Sequence, residues 1–444
     1  MDPLVKPGEE QGEDPFEAAM LDGPRRPMTR REAIHYGATG LACVAGVGGL
    51  AWYLYRQARE EIALTGVFRG GGPSDEVWSL WQQRGWVKEA AHYLKLGNNV
   101  QCKLCPNNCI LAPGDRSHCR NKINRGGTLY TMAYANPCTF HVDPVEKKPL
   151  FHFHPGSETF SLATSGCGFR CLNCQNWDIS QKQPEETKDP TGPPLRFRPP
   201  LPSSLTLGDM QRLTMMPEDV VAVTEALGCP SISYTYSEPI DYYEYVTDTA
   251  RLAHAHNLKN IFVTCGFINE TPLRELAGHL DAAHVDLKGF DDEVYKRLNS
   301  GHLQPILDTL ITLKQQDVWF EVINLVVPTY TDDLDAIQRM CDWLVNNIGP
   351  DHPLHFSRFH PAHKLEHLPP TPVDTLVAAR DIARKAGLHY PYVGNVRGLT
   401  DAETTFCPSC HRAIVERDIF AVTRLDVLGG KCKFCQTRIA GVWA

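Results

Sequence analysis

Three thiols stand close together in Cys167-Gly168-Phe169-Arg170-Cys171-Leu172-Asn173-Cys174, with three residues between the first pair and two between the second. Three thiolates hold three irons of a [4Fe-4S] cube and leave the fourth iron open. Simple electron carriers mostly give each cluster four cysteines. A three-cysteine loop therefore points to a cluster that binds something at its free iron, with a zinc site or three unrelated buried thiols as the plain alternative. The run Glu158–Thr164 ahead of it is apolar and β-branched and reads as a strand. The cysteines then sit on the loop leaving that strand's C-terminal end, the edge where parallel α/β barrels carry their chemistry.

The chain has sixteen cysteines, and eleven of them fall into three groups. Cys102, Cys105, Cys109 and Cys119 form the first, the loop above the second, and Cys407, Cys410, Cys432 and Cys435 the third. Close CxxC pairs favour metal or cluster binding over disulfides. The two C-terminal knuckles match a zinc-ribbon pattern, with a rubredoxin-like iron site as the alternative. The first group closes a tetrahedral zinc site or holds an auxiliary cluster; a closed zinc site is the preferred expectation. Cys43, Cys138, Cys229, Cys265 and Cys341 stand apart and read as small buried hydrophobes.

The elements that must position these thiols follow from the pattern of apolar residues. Strands are expected at Ser231–Tyr236, Asn260–Thr264, His284–Lys288, Val318–Val327 and Leu354–Phe359. Helices are expected at Pro217–Leu227, Pro239–Asn257, Thr271–His279, Asp291–Leu298, Gln304–Gln315, Asp332–Asn347 and Val373–Ala386. Alternation of this kind implies βαβ units and a parallel sheet. With the strand before Cys167, about six units result, as in a (β/α)6 partial barrel.

Residues 1–27 are acidic, contain Pro and Gly, and lack periodicity, so they read as disordered. Paired arginines in Thr29-Arg30-Arg31-Glu32-Ala33 precede an uncharged run from Tyr36 to Tyr55. That run matches the ~20 residues needed to cross a bilayer. The arrangement (residues 28–56) resembles a twin-arginine signal or retained membrane anchor, giving a membrane-associated or exported protein, with a cytoplasmic one as the alternative. Arg56–Leu96 has a helical pattern marked by Trp78, Trp81 and Trp86 and reads as a linker, followed by a cysteine-rich segment over 97–156. The stretch His141–Gly156 is dense in charged and imidazole groups and is expected to line the mouth of the site. The tract Pro184–Pro202 excludes regular helix and central strand and reads as an inserted loop. The net charge of −8 argues against a general nucleic-acid-binding surface.

Jointly these stretches resemble the radical S-adenosylmethionine (radical SAM) enzymes of the AmmeMemoRadiSam system, relatives of the pyruvate formate-lyase activating enzyme. The matching stretches are Cys102–Cys109 with Cys119, His141-Val142-Asp143-Pro144 with Glu146–Phe151, Cys167–Trp177, Tyr234–Pro239 and Tyr392–Val396. They cover roughly residues 97–397, with the barrel over 157–397 and the zinc-ribbon-like module over 398–444 outside that core. The resemblance implies a [4Fe-4S] cluster on Cys167, Cys171 and Cys174, with SAM on its open iron. It places Glu238 near the SAM amino group, although Tyr236 and Ser237 stand where the family has glycines. It makes Asp286 and Lys288, which share a strand face, candidates to bracket the cofactor; their mutual ion pair is the plain alternative. Asn324, Arg358 and His360 are further candidate contacts for SAM or a substrate anion. The family has an aromatic before the third cysteine, where this chain has Asn173.

The expected function is reductive cleavage of SAM to a 5′-deoxyadenosyl radical that abstracts hydrogen from a small molecule or from a partner protein. An electron donor such as a flavodoxin or ferredoxin is implied. The alternative is an iron–sulfur electron-transfer or metal-binding protein that no longer turns over SAM.

Overall fold

In the computed structural model, which describes residues 66–197, 199 and 205–443, the central element is an eight-stranded sheet. Its strands are β1 (Thr139–Pro144), β2 (Glu158–Ala163), β3 (Ser231–Tyr234), β4 (Lys259–Thr264), β5 (Ala282–Asp286), β6 (Trp319–Val326), β7 (Leu354–Arg358) and β8 (Pro391–Gly394). They lie side by side in chain order. β2 to β8 are parallel and β1 runs antiparallel to β2. All six expected strands are present. The sequence reading missed the two at the edges, β1 and β8. β1 carries the polar alternation His141-Val142-Asp143, which reads as a charge cluster rather than a strand.

Helices return the chain between the parallel strands, and their ends follow local chemistry. Asp291 caps Asp292–Asn299 by accepting from the Val294 N–H, and Asp333 caps Leu334–Asn347 by accepting from the Asp335 N–H. Val373–Ala386 stops at Gly387, whose φ of 108° suits a residue without a Cβ. The sheet has two unlike faces. Phe160, Leu162, Ile232, Tyr234, Phe262, Val285, Phe320, Val322 and Phe356 pack in one core with helix residues such as Val223, Val246, Leu276, Leu310 and Leu344. The residues between them in sequence point the other way. That face carries Thr159, Ser161, Ser233, His284, Asp286, Glu321, His355 and Tyr392, and it is bound together by polar contacts: Thr159 and Ser233 hydroxyls at 2.8 Å, and His355 with Glu321 at 2.7 Å.

The stretch 141–156 begins near the cysteine edge, where His141 pairs with Ser161 and its ring meets that of Tyr236, and then leaves it. It enters along β1, antiparallel to β2, and so runs away from the loop. It then crosses the opposite ends of the strands, where Val145, Leu150 and Phe153 pack on Ile261 and Ala282. Glu321 accepts there from the backbone N–H groups of Phe151 and His152 at 3.0 and 2.7 Å. Four backbone and ring donors surround this carboxylate, which holds it below its usual range despite complete burial.

The segment expected to be one long helical linker is helical only over Asp75–Arg84. Gly85 ends that helix in a left-handed conformation, and Lys88–Glu89 and Tyr93–Leu96 pair as strands. The tract after Pro184 is packed rather than loose as far as it is described. Lys188 is buried and donates to the carbonyls of Pro137, Met210 and Leu213 at 3.1, 2.6 and 2.8 Å. The paired arginines, the uncharged run Tyr36–Tyr55 and Cys43 lie outside the described residues. Among the described residues no helix is long and apolar enough to cross a membrane.

At the C-terminus, Ala413–Asp418 and Ala421–Leu425 form a hairpin, and Val427–Leu428 pairs with Lys431–Cys432. This module does not make a core alone. Cys407, Ile414, Val415, Cys432 and Ile439 pack with Phe151, Tyr390 and Tyr392.

Candidate functional site

The loop Cys167–Cys174 leaves β2 at its C-terminal end, as expected. It is fastened on both flanks by backbone bonds: Arg170 N–H to the Asn299 carbonyl and Leu172 N–H to the Leu298 carbonyl, each 2.9 Å, and Lys364 N–H to the Leu172 carbonyl, also 2.9 Å. Every sulfur has a polar partner. The Phe169 N–H points at Cys167 Sγ at 3.3 Å, and Asn299 Nδ2 at Cys171 Sγ at 3.2 Å. Ser180 Oγ lies 3.2 Å from Cys174 Sγ. Burial pushes the Cys167 thiol well up, and it pushes Cys171 up to about 11 against the pull of Lys288. Neutral buried thiols are poor ligands, and donors aimed at sulfur favour the thiolate that binds iron. The loop thus fits a three-thiolate cluster site.

Asn173 is buried, and its Oδ1 has no hydrogen-bond partner among the described residues. An orphaned buried acceptor in the cluster loop is what a missing ligand with an N–H group would leave behind. Tyr236 takes a φ of +64°, a left-handed conformation uncommon for a bulky residue. The backbone there keeps a shape that glycine adopts easily, although the residue is tyrosine. Asn176 Nδ2 donates to the Tyr236 carbonyl at 2.7 Å, which ties this turn to the cluster loop.

Glu238 is buried at the end of β3 and caps the short helix Pro239–Tyr242. Its carboxylate accepts from Thr264 Oγ1 at 2.6 Å, Cys265 N–H at 2.8 Å and Ile240 N–H at 3.3 Å. Protein groups therefore already occupy much of its accepting capacity. Asp286 and Lys288 pair at 2.7 Å, and His284 Nε2 lies 3.0 Å from the same carboxylate. Burial works against the Asp286 charge, but Lys288 and His284 hold its carboxyl below the usual range. Lys288 feels the charge of both Cys171 and Cys265, which puts this pair beside the cluster loop.

Asn324 and Arg358 are not on that face. Asp286 pairs with Ile323, so Asn324 points with Phe356 toward the helices. Its Nδ2 donates to the Leu287 carbonyl at 2.8 Å. Arg358 pairs with Val326 on the same outer side, and its Nε donates to the Thr371 carbonyl at 2.8 Å. His360 lies past β7 and lines, with Gln175, Asn395, Arg397 and Phe420, an open cavity of about 360 Å³. Gln175 directly follows Cys174, so this cavity adjoins the cluster loop.

One group escaped the sequence reading. Asp241 is buried and accepts from the Gly168 N–H at 2.6 Å, inside the cluster loop. Burial, then Glu238, raises its pKa to about 7. Asp143, from the stretch expected at the site mouth, accepts from Lys147 and Lys148 at 2.6 Å each and from the Tyr236 hydroxyl. The one signal for Asp241 was an acid in the otherwise apolar Pro-Ile-Asp-Tyr-Tyr run.

Among the described residues, Cys407, Cys410, Cys432 and Cys435 are the group whose ligand atoms converge, all within 4.8 Å. Cys407 Sγ lies 3.5 Å from Cys435 Sγ and Cys410 Sγ 3.8 Å from Cys432 Sγ. Metal–sulfur bonds of about 2.3 Å set tetrahedral sulfurs ~3.8 Å apart. This is the spacing of a site for one metal ion.

A family model for the radical SAM superfamily matches residues 161–343, the span from β2 into the helix after β6. These residues thus carry a radical SAM domain, which implies an enzyme of the radical SAM class with a [4Fe-4S] cluster and SAM. The chain belongs to the same family as the uncharacterized protein MJ0808 of Methanocaldococcus jannaschii, 42% identical over 356 residues that span 80% of this chain and 99% of the relative. Among solved structures, a domain of pyruvate-formate lyase-activating enzyme from Bacteroides vulgatus is 14% identical, with a TM-score of 0.33 over 37% of this chain and 98% of that one. A radical SAM methyltransferase from Sphaerobacter thermophilus is also 14% identical, with a TM-score of 0.37 over 57% of this chain and 70% of that one.

Proposed function

We propose that this chain cleaves SAM at the Cys167–Cys174 loop and directs the resulting radical at a hydrogen of a substrate held at the C-terminal edge of the sheet. The observation that carries this is the loop itself: three sulfurs at the end of a parallel strand, each with its own polar partner. When bound there, the cluster and SAM supply methionine and a 5′-deoxyadenosyl radical.

The protein's part is to hold and shield. Cys167, Cys171 and Cys174 ligate three irons. The Asp286–Lys288 pair beside Cys171 offers one charge of each sign, which suits a zwitterionic amino acid end. Asn173 Oδ1 offers a buried acceptor. Glu238, occupied by Thr264 and Cys265, positions the turn after β3 rather than donating its whole carboxylate to SAM. The cavity bounded by Gln175, His360, Arg397 and Phe420 is the place for substrate. The resemblance to activating enzymes of the AmmeMemoRadiSam type favours a partner protein's glycyl hydrogen as one substrate class, beside a small molecule. The C-terminal four-cysteine site suits zinc in a closed structural role.

The test is anaerobic reconstitution with iron and sulfide, followed by dithionite and SAM. Release of 5′-deoxyadenosine is expected. A fully loaded cluster that releases none would overturn the proposal in favour of an electron-transfer or metal-binding protein.

A further inference from the structure

A second cavity, of about 560 Å³, opens beside the one that adjoins the cluster loop. The two share Val396, Arg397, Glu403 and Ile419, so they form one trough. Gln175, next to Cys174, stands at its near end. Its far end lies between the run 396–404, which leaves β8, and the hairpin of the C-terminal module at Arg417 to Ile419. The module is therefore a wall of the place assigned to substrate.

The tip of that hairpin is strained. Asp418 pairs with Ala421, which leaves Ile419-Phe420 as a two-residue turn. Ile419 takes a φ of +57°, and Phe420 does not turn left-handed. Such a turn favours glycine at its first position, because a β-branched side chain in that conformation is an outlier. Burial does not offset the strain, since Ile419 and Phe420 are 36% and 38% exposed. The fold alone gives no reason for this pair of residues at the tip. Strain of this kind gathers where a ligand is held, and both residues line the trough. Arg417, two residues before Ile419, fixes the tip through its bonds to the Phe151 and Glu403 carbonyls.

The opposite wall is irregular chain. Among the described residues, the N–H groups of Arg397, Gly398, Leu399, Thr400 and Asp401 have no backbone partner. A run of free main-chain donors across from an apolar pair suits an extended peptide: the donors take its carbonyls and the pair takes a side chain. A small-molecule site is instead mostly apolar and encloses its ligand. This trough is open and has Arg397, Asp401, Glu403 and Asp418 along it.

We propose that Ile419 and Phe420 contact the substrate, and that the trough between them and 396–404 seats an extended segment of a partner polypeptide. The segment runs toward Gln175, which brings its reacting hydrogen to the cluster loop. The assignment of this segment as substrate rests on the proposed SAM cleavage; its binding does not.

Two measurements on the full chain test this. The first needs no ligand. Ile419→Gly removes the strained side chain, and its denaturant midpoint is expected to be no lower than native. A clear fall would show that Ile419 serves the fold and would overturn its assignment to substrate. The second uses random peptides displayed on phage and panned against the native protein. Synthetic copies of the enriched peptides are expected to bind Ile419→Gly with Phe420→Ser more weakly, by about tenfold or more, as loss of apolar anchors does. They are expected to bind Leu428→Ser, changed at an exposed apolar residue elsewhere on the module, as they bind native protein. No enriched peptide, or equal binding to the double variant, would overturn the proposal. Binding is read without reductant. A chain that binds peptide but releases no 5′-deoxyadenosine would sink the SAM-cleavage reading and leave the peptide trough standing. One that releases it and binds no peptide would sink the trough alone.

Discussion

Gly166 packs directly against Cys119. A Cβ built on Gly166 would lie 2.6 Å from the Cys119 carbonyl oxygen and 2.5 Å from Asn121 Oδ1, and Gly166 has a φ of +96°. The last residue before the cluster loop thus lies against the first cysteine group. Gly166→Ala is expected to cost about 1–3 kcal/mol through overpacking, with backbone strain added. Since the obstacle is a backbone oxygen, relaxation must move the loop. Denaturant unfolding reads the stability, and iron per chain is expected to fall with it. A variant as stable and as iron-rich as the native protein would show that the two segments do not depend on this contact.

Glu238 separates a structural from a cofactor role. Removing its carboxylate leaves Thr264 Oγ1 and the Cys265 N–H without their acceptor in a buried place. Glu238→Ala is expected to destabilise by roughly 2–6 kcal/mol, since each orphaned donor costs about 1–3. Glu238→Gln keeps one acceptor oxygen and should lose less. Calorimetry of SAM binding to the reconstituted Gln variant is expected to show affinity close to native. A large loss of SAM affinity at native stability would return Glu238 to the cofactor.

Much of the architecture was legible because helices and strands alternate with clear apolar periods. The cysteine loop was legible because its spacing is chemistry. What stayed hidden were relations between strands. Period two says that Asp286 and Lys288 share a face, but not which face of β6 continues it. Only the register, Asp286 beside Ile323 and Asn324 beside Phe356, shows that Asn324 and Asp286 lie on opposite faces of the sheet. Arg358 lies beside Val326 on the same face as Asn324, which the sequence alone does not reveal. β8 was missed because four residues opening on Pro391 give too short a period to read. Tyr236 and Asp143 meet across a gap of 93 residues, which no local pattern encodes.

His152 predicts acid lability. It is fully buried, bonded to the Tyr392 hydroxyl and the Ala440 carbonyl at 2.7 Å each, and burial lowers its pKa to about 4, with Glu321 pulling the other way. In the unfolded chain a histidine titrates near 6.5. Between those values the unfolded state binds the extra proton, so stability is complete above pH ~6.5 and falls as pH drops toward ~4. The contribution is at most about 3 kcal/mol, at 1.36 per pKa unit. Denaturation midpoints of native protein and His152→Gln, compared from pH 7.5 to 4, should converge as pH falls. Parallel curves would remove His152 as the cause.

Arg417 joins the C-terminal module to the rest of the fold by a buried charge. Its guanidinium donates to the Phe151 carbonyl at 2.7 Å, to the Glu403 carbonyl and Thr405 Oγ1 at 3.0 Å each, and lies over the Phe151 ring at 4.1 Å. Glu146 Oε1 stands 3.8 Å from its Nε, with both side chains fully buried. Removing one partner of a buried pair strands the other charge and costs about 3–5 kcal/mol. Arg417→Met is therefore expected to destabilise by that order and to loosen the module, read as earlier proteolysis near Ile419 and faster loss of metal to a chelator. Glu146→Gln in the same chain removes the stranded charge. The double variant is expected to regain part of the loss, though not the bonds to Phe151, Glu403 and Thr405. A strictly additive double variant would mean that the carboxylate and guanidinium do not sense each other, and that Arg417 acts through its carbonyl bonds alone.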